Sequence, residues 1–368
     1  MKNNKAATVS RNYSLDLLRI VAMLMIVLFH ACCGPINYNF LNDFNKVIFS
    51  FLLHFGQIGV TLFMLITGYF SYKSTKKHKD KIIYILYSIW FFFLFNILLF
   101  VIFKGEYQID EYYVLPVSSY MFWYASSYVV ILLLAPYFNK LIKIISQSEH
   151  KNLLVILFVV LTVCPTLYSF YNGVVENGWI FTRFFWFVFM YFLGSYISKY
   201  QKESNFLNRE RKYFILLTCF SLVMMMIFMF IVKIFLSLIN PKIQMHLMWS
   251  INSPITLLTS FSIFMVFVKI QISNKSRVAR ILQKISTYTL DIYLSHNLNV
   301  YYAIFASEII LLKNYSDSKK LIIFVFVLTV MAFVYGLIIS IIKKYTFDRI
   351  FYKILHKIDD KFKLNLFE

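Results

Sequence analysis

Residues 14–34 read SLDLLRIVAMLMIVLFHACCG, an apolar stretch that contains one arginine, Arg19, and one histidine, His30. Its length matches the roughly 20 residues that a helix needs to cross a bilayer. Arg19 and His30 are eleven residues apart, which is about three helical turns, so both side chains are expected on one face, roughly 16 Å apart. Because a cation inside a membrane helix is costly, the pair predicts a functional site rather than an anchor.

The composition predicts a multi-pass membrane protein. Of the 368 residues, 60% are hydrophobic and 20% aromatic, and the mean hydropathy is +0.68; soluble domains are about 45–50% apolar. The net charge of +20 lies between the apolar runs, which favours a topology signal and contact with anionic lipid over nucleic-acid binding. The four cysteines have no CxxC spacing, so we expect neither a disulfide framework nor a metal site.

Ten apolar runs of spanning length predict an all-α, polytopic integral membrane protein. With the N-terminus inside, 28 of the 37 Lys and Arg residues fall in inner segments, which predicts that both termini are cytoplasmic. The predicted spans are about 14–34, 46–70, 82–103, 118–138, 152–170, 179–198, 213–235, 254–270, 286–311 and 320–342.

The chain is expected to divide into a transmembrane domain, residues 1–345, and a basic amphipathic cytoplasmic tail, residues 346–368. In the tail, Lys353 and Lys357 lie off an apolar face, which predicts a helix on the inner membrane surface, with a partner helix as the alternative. That face consists of Phe347, Ile350, Phe351, Ile354, Leu355 and Ile358.

Two stretches resemble membrane-bound acyltransferase family 3. They are the LDLLR…H pattern of the first span and residues 55–70, FGQIGVTLFMLITGYF, at the end of the second, where Thr67 replaces the serine often found in the family. Weaker similarities follow at Trp123, at Arg183 and in residues 288–296, YTLDIYLSH.

This resemblance implies an enzyme that moves an acyl group, usually acetyl from acetyl-CoA, to a hydroxyl of a cell-surface or lipid-linked carbohydrate. Acetyl-CoA or another acyl-CoA would be a co-substrate, with no tightly bound cofactor. It implies the plasma membrane of a bacterium, with acyl-CoA, a carbohydrate acceptor and the lipid bilayer as partners and no nucleic acid. The sequence does not distinguish acetyl from succinyl transfer.

The candidate catalytic residues are His30, Arg19 and Asp16. His30 can take a proton from a sugar hydroxyl or carry the acyl group, although an interhelical hydrogen bond is the plain alternative. Arg19 suits a phosphate or a polarised thioester carbonyl, or it snorkels to the interface. Asp16 can orient Arg19 as an (i, i+3) pair or complement the helix N-terminus.

Acyl-donor binding is expected at the inner end of the second span. Gly68 permits close approach of a helix or of the donor, and Tyr69 can contact the donor or belong to an aromatic belt. The basic cluster that follows can hold the phosphates of coenzyme A or simply mark the inner side. It consists of Lys76, Lys77, Lys79 and Lys81, where the family usually has arginines.

Five residues are candidates for binding the acceptor. His54 and Gln57 share one side of the second span by (i, i+3) spacing. Trp123 suits stacking on a sugar, Arg183 suits an anionic acceptor, and His296 can position the substrate or donate a hydrogen bond. The alternatives are a structural role for His296 and an interface position for Trp123 and Arg183.

The alternative function is a transporter or exporter of a lipid-linked saccharide, with Arg19 and His30 as ligand contacts or a proton relay. It predicts inverted repeats or broken helices in matching halves, and the sequence shows neither. A non-catalytic sensing or scaffold module is disfavoured because both residues are retained. The chain lacks HExxH, GxSxG and Walker motifs, which argues against a metalloprotease, a serine hydrolase and an ATP-driven pump.

Overall fold

The computed structural model describes residues 11–33, 41–73, 78–104, 117, 122–172, 183–231, 250–296 and 320–362, and these form helices and connections without a strand. In chain order the helices are α1 Tyr13–Cys33, α2 Asp43–Ser71, α3 Lys79–Lys104, α4 Trp123–Ile144, α5 Gln147–Phe158, α6 Cys164–Asn172, α7 Arg183–Tyr200, α8 Arg211–Ile231, α9 Pro254–Val268, α10 Arg277–Ser286, α11 Thr289–His296, α12 Lys320–Tyr345 and α13 Phe347–Phe362, with a π-helical turn, Val159–Val163, between α5 and α6.

Seven helical stretches in the described part of the chain are long and apolar enough to cross a membrane. They are α1, α2, α3, α4, the run from α5 into α6, α8 and α12, while α9 is a shorter apolar helix. Helices α7 and α11 lie at the positions of the sixth and ninth predicted spans. The ninth is described only as far as His296. The all-α, multi-pass class is confirmed, whereas the count of ten and the cytoplasmic termini stay predictions.

The fifth span begins five residues before its predicted start because Ser146 caps the helix. The Ser146 hydroxyl accepts a hydrogen bond from the Glu149 amide at 3.3 Å, and the Glu149 carboxylate accepts one from the Ser146 amide at 2.8 Å. This reciprocal capping box satisfies two amides that a helix start otherwise leaves unpaired. The polar first turn, Gln147 to His150, therefore belongs to the helix, although its hydropathy placed it outside the predicted span.

The π-helical turn in the fifth span precedes a proline. Pro165 has no N–H, so it cannot donate to the carbonyl four residues earlier, that of Leu161. The side-chain amide of Asn252 donates to this carbonyl instead, at 2.9 Å. The break in the helical ladder is thereby satisfied from the segment that leads into α9.

Helix α2 lies at the centre of the bundle and approaches α1 and α7 closely through glycine. A Cβ on Gly59 would lie 2.6 Å from the Ala22 carbonyl oxygen of α1. A Cβ on Gly68 would overlap the Tyr191 backbone of α7, and one on Gly194 would lie 2.9 Å from the amide nitrogen of Tyr69. Small residues allow such backbone approach between membrane helices, so these three glycines set the positions of α1 and α7 around α2.

Replacing Gly194 with leucine is therefore expected to destabilise the bundle by roughly 1–3 kcal/mol, because the new side chain has to separate α7 from α2. The measurement is the thermal unfolding temperature of the purified protein in detergent. Cys219→Leu is the matched control, since Cys219 lies on an exposed position of α8. Equal unfolding temperatures for the two variants would contradict the close α2–α7 crossing.

A buried ion cluster joins four helices near the end of α12. The Lys343 ammonium is fully buried, and it lies 3.3 Å from an Asp291 oxygen of α11 and 3.0 Å from an Asp348 oxygen of α13. It also donates to the Ser88 hydroxyl at 3.0 Å, and the Tyr84 hydroxyl lies 3.2 Å from both carboxylates. The C-terminal helix α13 is thus tied to α3, α11 and α12; the boundary between residues 345 and 346 as a domain limit stays a prediction.

Candidate active site

Helix α1 presents one stripe of side chains to an internal cavity of about 300 Å³. The stripe consists of Arg19, Met23 and Ile26, at spacings of four and three residues, and His30 continues it by one further turn. The other walls come from α2, α3, α4 and α11. The single face predicted for Arg19 and His30 is therefore the face on which the cavity lies.

The cavity has a basic end and an aromatic end. Arg11, Lys81 and Ser286 line the first, while Tyr124 and Tyr293 line the second. The ring centroids of the two tyrosines are 5.5 Å apart. Because Ile26 is one turn before His30 and Tyr293 nearly one turn before His296, the aromatic end lies about one helical turn from both histidines.

Asp16 holds Arg19 at the basic end. The Arg19 guanidinium donates to Asp16 Oδ1 at 2.8 Å, so the (i, i+3) pair is present. Arg11 Nε donates to the second carboxylate oxygen at 2.7 Å, and the Ser286 hydroxyl donates to Oδ1 at 3.0 Å. The Asp16 carboxylate is almost fully buried and has three donors, which compensates for its loss of hydration. Arg19 remains 30% exposed and lines the cavity.

Lys81 is the member of the predicted basic cluster that reaches the cavity. Its ammonium donates to the hydroxyl of Tyr128, which also hydrogen bonds with Thr67. Lys79 begins α3 with an exposed side chain, and Lys76 and Lys77 lie outside the described residues. Partial burial, reinforced by the charge of Lys81, lowers the pKa of the neighbouring His78, so this histidine adds no positive charge at neutral pH.

Gly68 and Tyr69 lie away from this cavity. Gly68 packs against the backbone of α7, which is the helix-packing alternative for that residue. Tyr69 lines a second cavity of about 880 Å³ together with Lys73, Lys202 and Arg11. Arg11 lines both cavities, so the two basic cavities lie on either side of this residue.

His30 and His296 meet beyond the aromatic end. His30 Nδ1 lies 3.0 Å from His296 Nε2, and the ring centroids are 5.0 Å apart. His296 Nδ1 lies 2.5 Å from the carbonyl oxygen of Ile292, one turn earlier in α11. His296 is buried, whereas His30 is partly exposed. The structure therefore brings together one predicted catalytic residue and one predicted acceptor-binding residue.

Trp123 and Arg183 also lie together. The Arg183 guanidinium stands 4.7 Å from the centre of the Trp123 ring, a cation–π contact between the first residues of α4 and α7. Tyr124, the next residue of α4, contributes to the aromatic end of the cavity. These two predicted acceptor-binding residues are thus placed beside the cavity wall.

His54 and Gln57 have internal partners instead. His54 is buried, and its Nε2 lies 2.8 Å from the Thr256 hydroxyl of α9. The Gln57 carbonyl accepts a hydrogen bond from the Thr61 hydroxyl, to which Trp186 donates at 3.2 Å. Neither residue is among the described residues that line the cavity.

Several cavity residues were not predicted as site residues. Arg11 was expected only to mark the inner side of the membrane, and Tyr128 and Ser286 carry no local signal beyond their polar groups. Tyr293 lies inside the family-like stretch 288–296, which is the one indication that the sequence offered. Within the described part of the chain, no group of three His, Cys, Asp or Glu residues could hold a metal ion.

The bundle and its cavity define a membrane protein whose basic pocket ends about one helical turn from a histidine pair. A family model described as an acyltransferase domain, that of acyltransferase family 3, matches residues 12–343. The chain therefore belongs to acyltransferase family 3 and is a membrane acyltransferase, which confirms the resemblance seen in its motifs. Comparison with curated proteins and with solved structures gave no match.

Proposed function

We propose that the protein moves an acetyl or similar acyl group from cytoplasmic acyl-CoA to a hydroxyl of a cell-surface or lipid-linked carbohydrate. The observation that carries this proposal is the cavity, which has Arg11, Arg19 and Lys81 at its basic end and ends at Tyr124 and Tyr293, about one helical turn from His30. Charges that suit phosphate therefore lie at one end of the cavity, and a base lies close to the other. Family membership favours this function over the transporter.

The donor binds with its phosphates at the basic end. Arg11, Arg19 and Lys81 line this end, and the neighbouring Asp16 carboxylate pairs with the two arginines. Three positive charges therefore face one negative charge. Arg11 gives two hydrogen bonds to Asp16, whereas Arg19 gives it one and keeps further N–H groups for phosphate oxygens. Lys81 adds a point charge. The larger cavity beyond Arg11, with Lys73 and Lys202, offers room and charge for the nucleotide part of the donor.

Distance separates the roles of Arg19 and His30. Eleven residues of helix place them roughly 16 Å apart along α1, so Arg19 is too far away to polarise a carbonyl that reacts at His30. Arg19 therefore binds the donor arm or its phosphates. The slender pantetheine arm crosses the cavity and presents the thioester at its aromatic end.

His30 acts as the general base in the chemical step. It takes the proton of the acceptor hydroxyl while the hydroxyl oxygen bonds to the thioester carbonyl carbon. The carbon–sulfur bond then breaks, and the coenzyme A thiolate takes a proton back from His30, so the products are an ester and free coenzyme A. Trp123 and Arg183 contact the carbohydrate beside this point, where an aromatic face suits a sugar ring.

Arg19→Ala is expected to raise the KM for acetyl-CoA about tenfold to 100-fold, because it removes charge-assisted hydrogen bonds to the donor. Turnover at saturating donor is expected to change much less, since Arg19 does not reach the reacting carbonyl. The measurement is transfer of labelled acetyl by inside-out membrane vesicles over a range of acetyl-CoA concentrations.

Two variants complete this experiment. Arg19→Lys keeps the charge without the planar fork and should lie between wild type and Arg19→Ala. Arg349→Ala removes an exposed arginine of α13, outside the cavity, and should behave as wild type. A fall in turnover with an unchanged KM in Arg19→Ala would contradict the donor-binding role.

A further inference from the structure

We propose that His296 is a positioning residue that fixes the tautomer of His30 and leaves His30 Nε2 without a hydrogen, ready to act as the base. This inference rests on the proposed function for its catalytic meaning. The hydrogen-bond geometry from which it is drawn does not depend on the substrate.

The carbonyl oxygen of Ile292 determines where His296 carries its hydrogen. A carbonyl oxygen only accepts hydrogen bonds, and it lies 2.5 Å from His296 Nδ1, so Nδ1 is the nitrogen that carries the hydrogen. A neutral imidazole has one N–H, and a second would place a positive charge on a buried ring inside the bundle, at a large desolvation cost. His296 Nε2 is therefore a bare acceptor.

That bare nitrogen determines the state of His30. His30 Nδ1 lies 3.0 Å from His296 Nε2, and two bare nitrogens at this distance would repel each other. His30 Nδ1 consequently donates, and the single hydrogen of neutral His30 is used in this bond. Its Nε2 then has a free lone pair, and the His30 side chain is partly exposed, so this nitrogen can take a proton from a hydroxyl.

The helix that carries His296 is itself held firmly. Gly336 of α12 lets the two backbones approach, because a Cβ there would lie 3.2 Å from the Ile292 Cα and 2.7 Å from the Ser295 hydroxyl. One turn earlier, Asp291 is paired with the buried Lys343. Both contacts are with α12, which holds the turn of α11 that precedes His296. A firmly held acceptor can keep His30 in one tautomer.

The same contact helps His30 during transfer. When Nε2 takes the hydroxyl proton, His30 becomes a cation, and its Nδ1–H bond to His296 becomes charge-assisted and stronger. His296 thereby does for His30 what the buried carboxylate does in a catalytic triad, with a neutral ring in place of a charge. The acceptor proton still ends on the sulfur of coenzyme A, so the balance of the reaction is unchanged.

The test compares two replacements of His296. His296→Leu removes the acceptor, and we expect turnover to fall about 100-fold to 1000-fold with the KM for acetyl-CoA within about twofold of wild type. His296→Gln supplies an amide oxygen in place of Nε2 and is expected to recover turnover to within about tenfold of wild type. Combining His296→Leu with His30→Ala should cost no more than His30→Ala alone.

A spectroscopic measurement tests the tautomer independently of activity. The protein is labelled with ¹⁵N on histidine and its nitrogen NMR spectrum is recorded. The signals of His30 and His296 are assigned by their absence from the His30→Ala and His296→Leu variants. Wild-type His30 should show a protonated Nδ1 and an Nε2 without hydrogen. A protonated Nε2 in wild type would overturn the proposal.

The kinetic outcomes are equally decisive. Equal folding and equal activity of His296→Leu and His296→Gln would also overturn the positioning role. An effect of His296→Leu confined to the KM for the acceptor would overturn it too, because His296 would then be an acceptor-binding residue. A wild-type protein that transfers no acetyl from acetyl-CoA would contradict the proposed function, while the nitrogen spectrum would still decide the tautomer.

Discussion

Replacing His30 with alanine is expected to lower turnover about 1000-fold while the KM for acetyl-CoA stays near the wild-type value. The reason is that a general base contributes about 100-fold to 10,000-fold to such a transfer, and His30 lies about one helical turn beyond the aromatic end of the cavity, away from its basic end. The measurement is release of free coenzyme A thiol by vesicles supplied with acetyl-CoA and acceptor.

His356→Ala is the matched control for this prediction. His356 lies on an exposed position of α13, outside the cavity, and its removal should leave turnover unchanged. Wild-type turnover in an equally abundant His30→Ala protein would exclude His30 as the base and would leave the histidine pair with a structural role only.

Lys343→Leu is expected to have the largest effect on stability, about 3–5 kcal/mol, because it leaves two buried carboxylates, Asp291 and Asp348, without their cation. The variant should unfold in detergent at a temperature lower by at least about 5 °C. It should also reduce turnover, since Asp291 shares the short helix α11 with His296.

Two further variants separate charge from packing at this cluster. Asp348→Asn removes one of the two negative charges, and Lys343 stays paired with Asp291. This variant should therefore lower the stability less than Lys343→Leu does. Lys344→Leu changes the neighbouring exposed lysine, which faces the ring of Tyr288, and should be nearly neutral. An unfolding temperature for Lys343→Leu equal to that of Lys344→Leu would show that the ion cluster does not hold the four helices together.

The features of the site that the sequence predicted are those that depend on local spacing. The stripe of Arg19 and His30 and the Asp16–Arg19 pair follow from the 3.6-residue period of one helix. Residue hydropathy located the seven described stretches that are long enough to span a membrane, but it ended the fourth six residues too early and began the fifth five residues too late. In the fifth, a capping box extends the helix into a polar segment.

Contacts between helices were not predictable in this way. His30 and His296 are 266 residues apart in the chain, and no periodicity relates two such positions. The packing of α11 against α12 places His296 beside His30, and the prediction that His296 binds the acceptor stays a prediction. From the sequence, Lys343 was only one of the cations that mark the inner side of the membrane. Its burial depends on α3, α11 and α13, which surround it in the folded protein.

Of the predicted donor residues, Lys81 lines the cavity while Gly68 packs against α7. A glycine in a membrane helix has the same sequence signature whether it faces a ligand or a neighbouring helix. The tertiary structure is therefore what separates the two interpretations.

The most direct test of the account is whether acetyl moves from the thioester to carbohydrate through His30. Labelled acetyl-CoA is supplied to inside-out membrane vesicles that contain equal, verified amounts of wild-type or His30→Ala protein, and alkali-labile label in the carbohydrate fraction is counted. We expect label with wild type and its loss with His30→Ala. Equal label with both proteins, or no label with wild type, would contradict this mechanism.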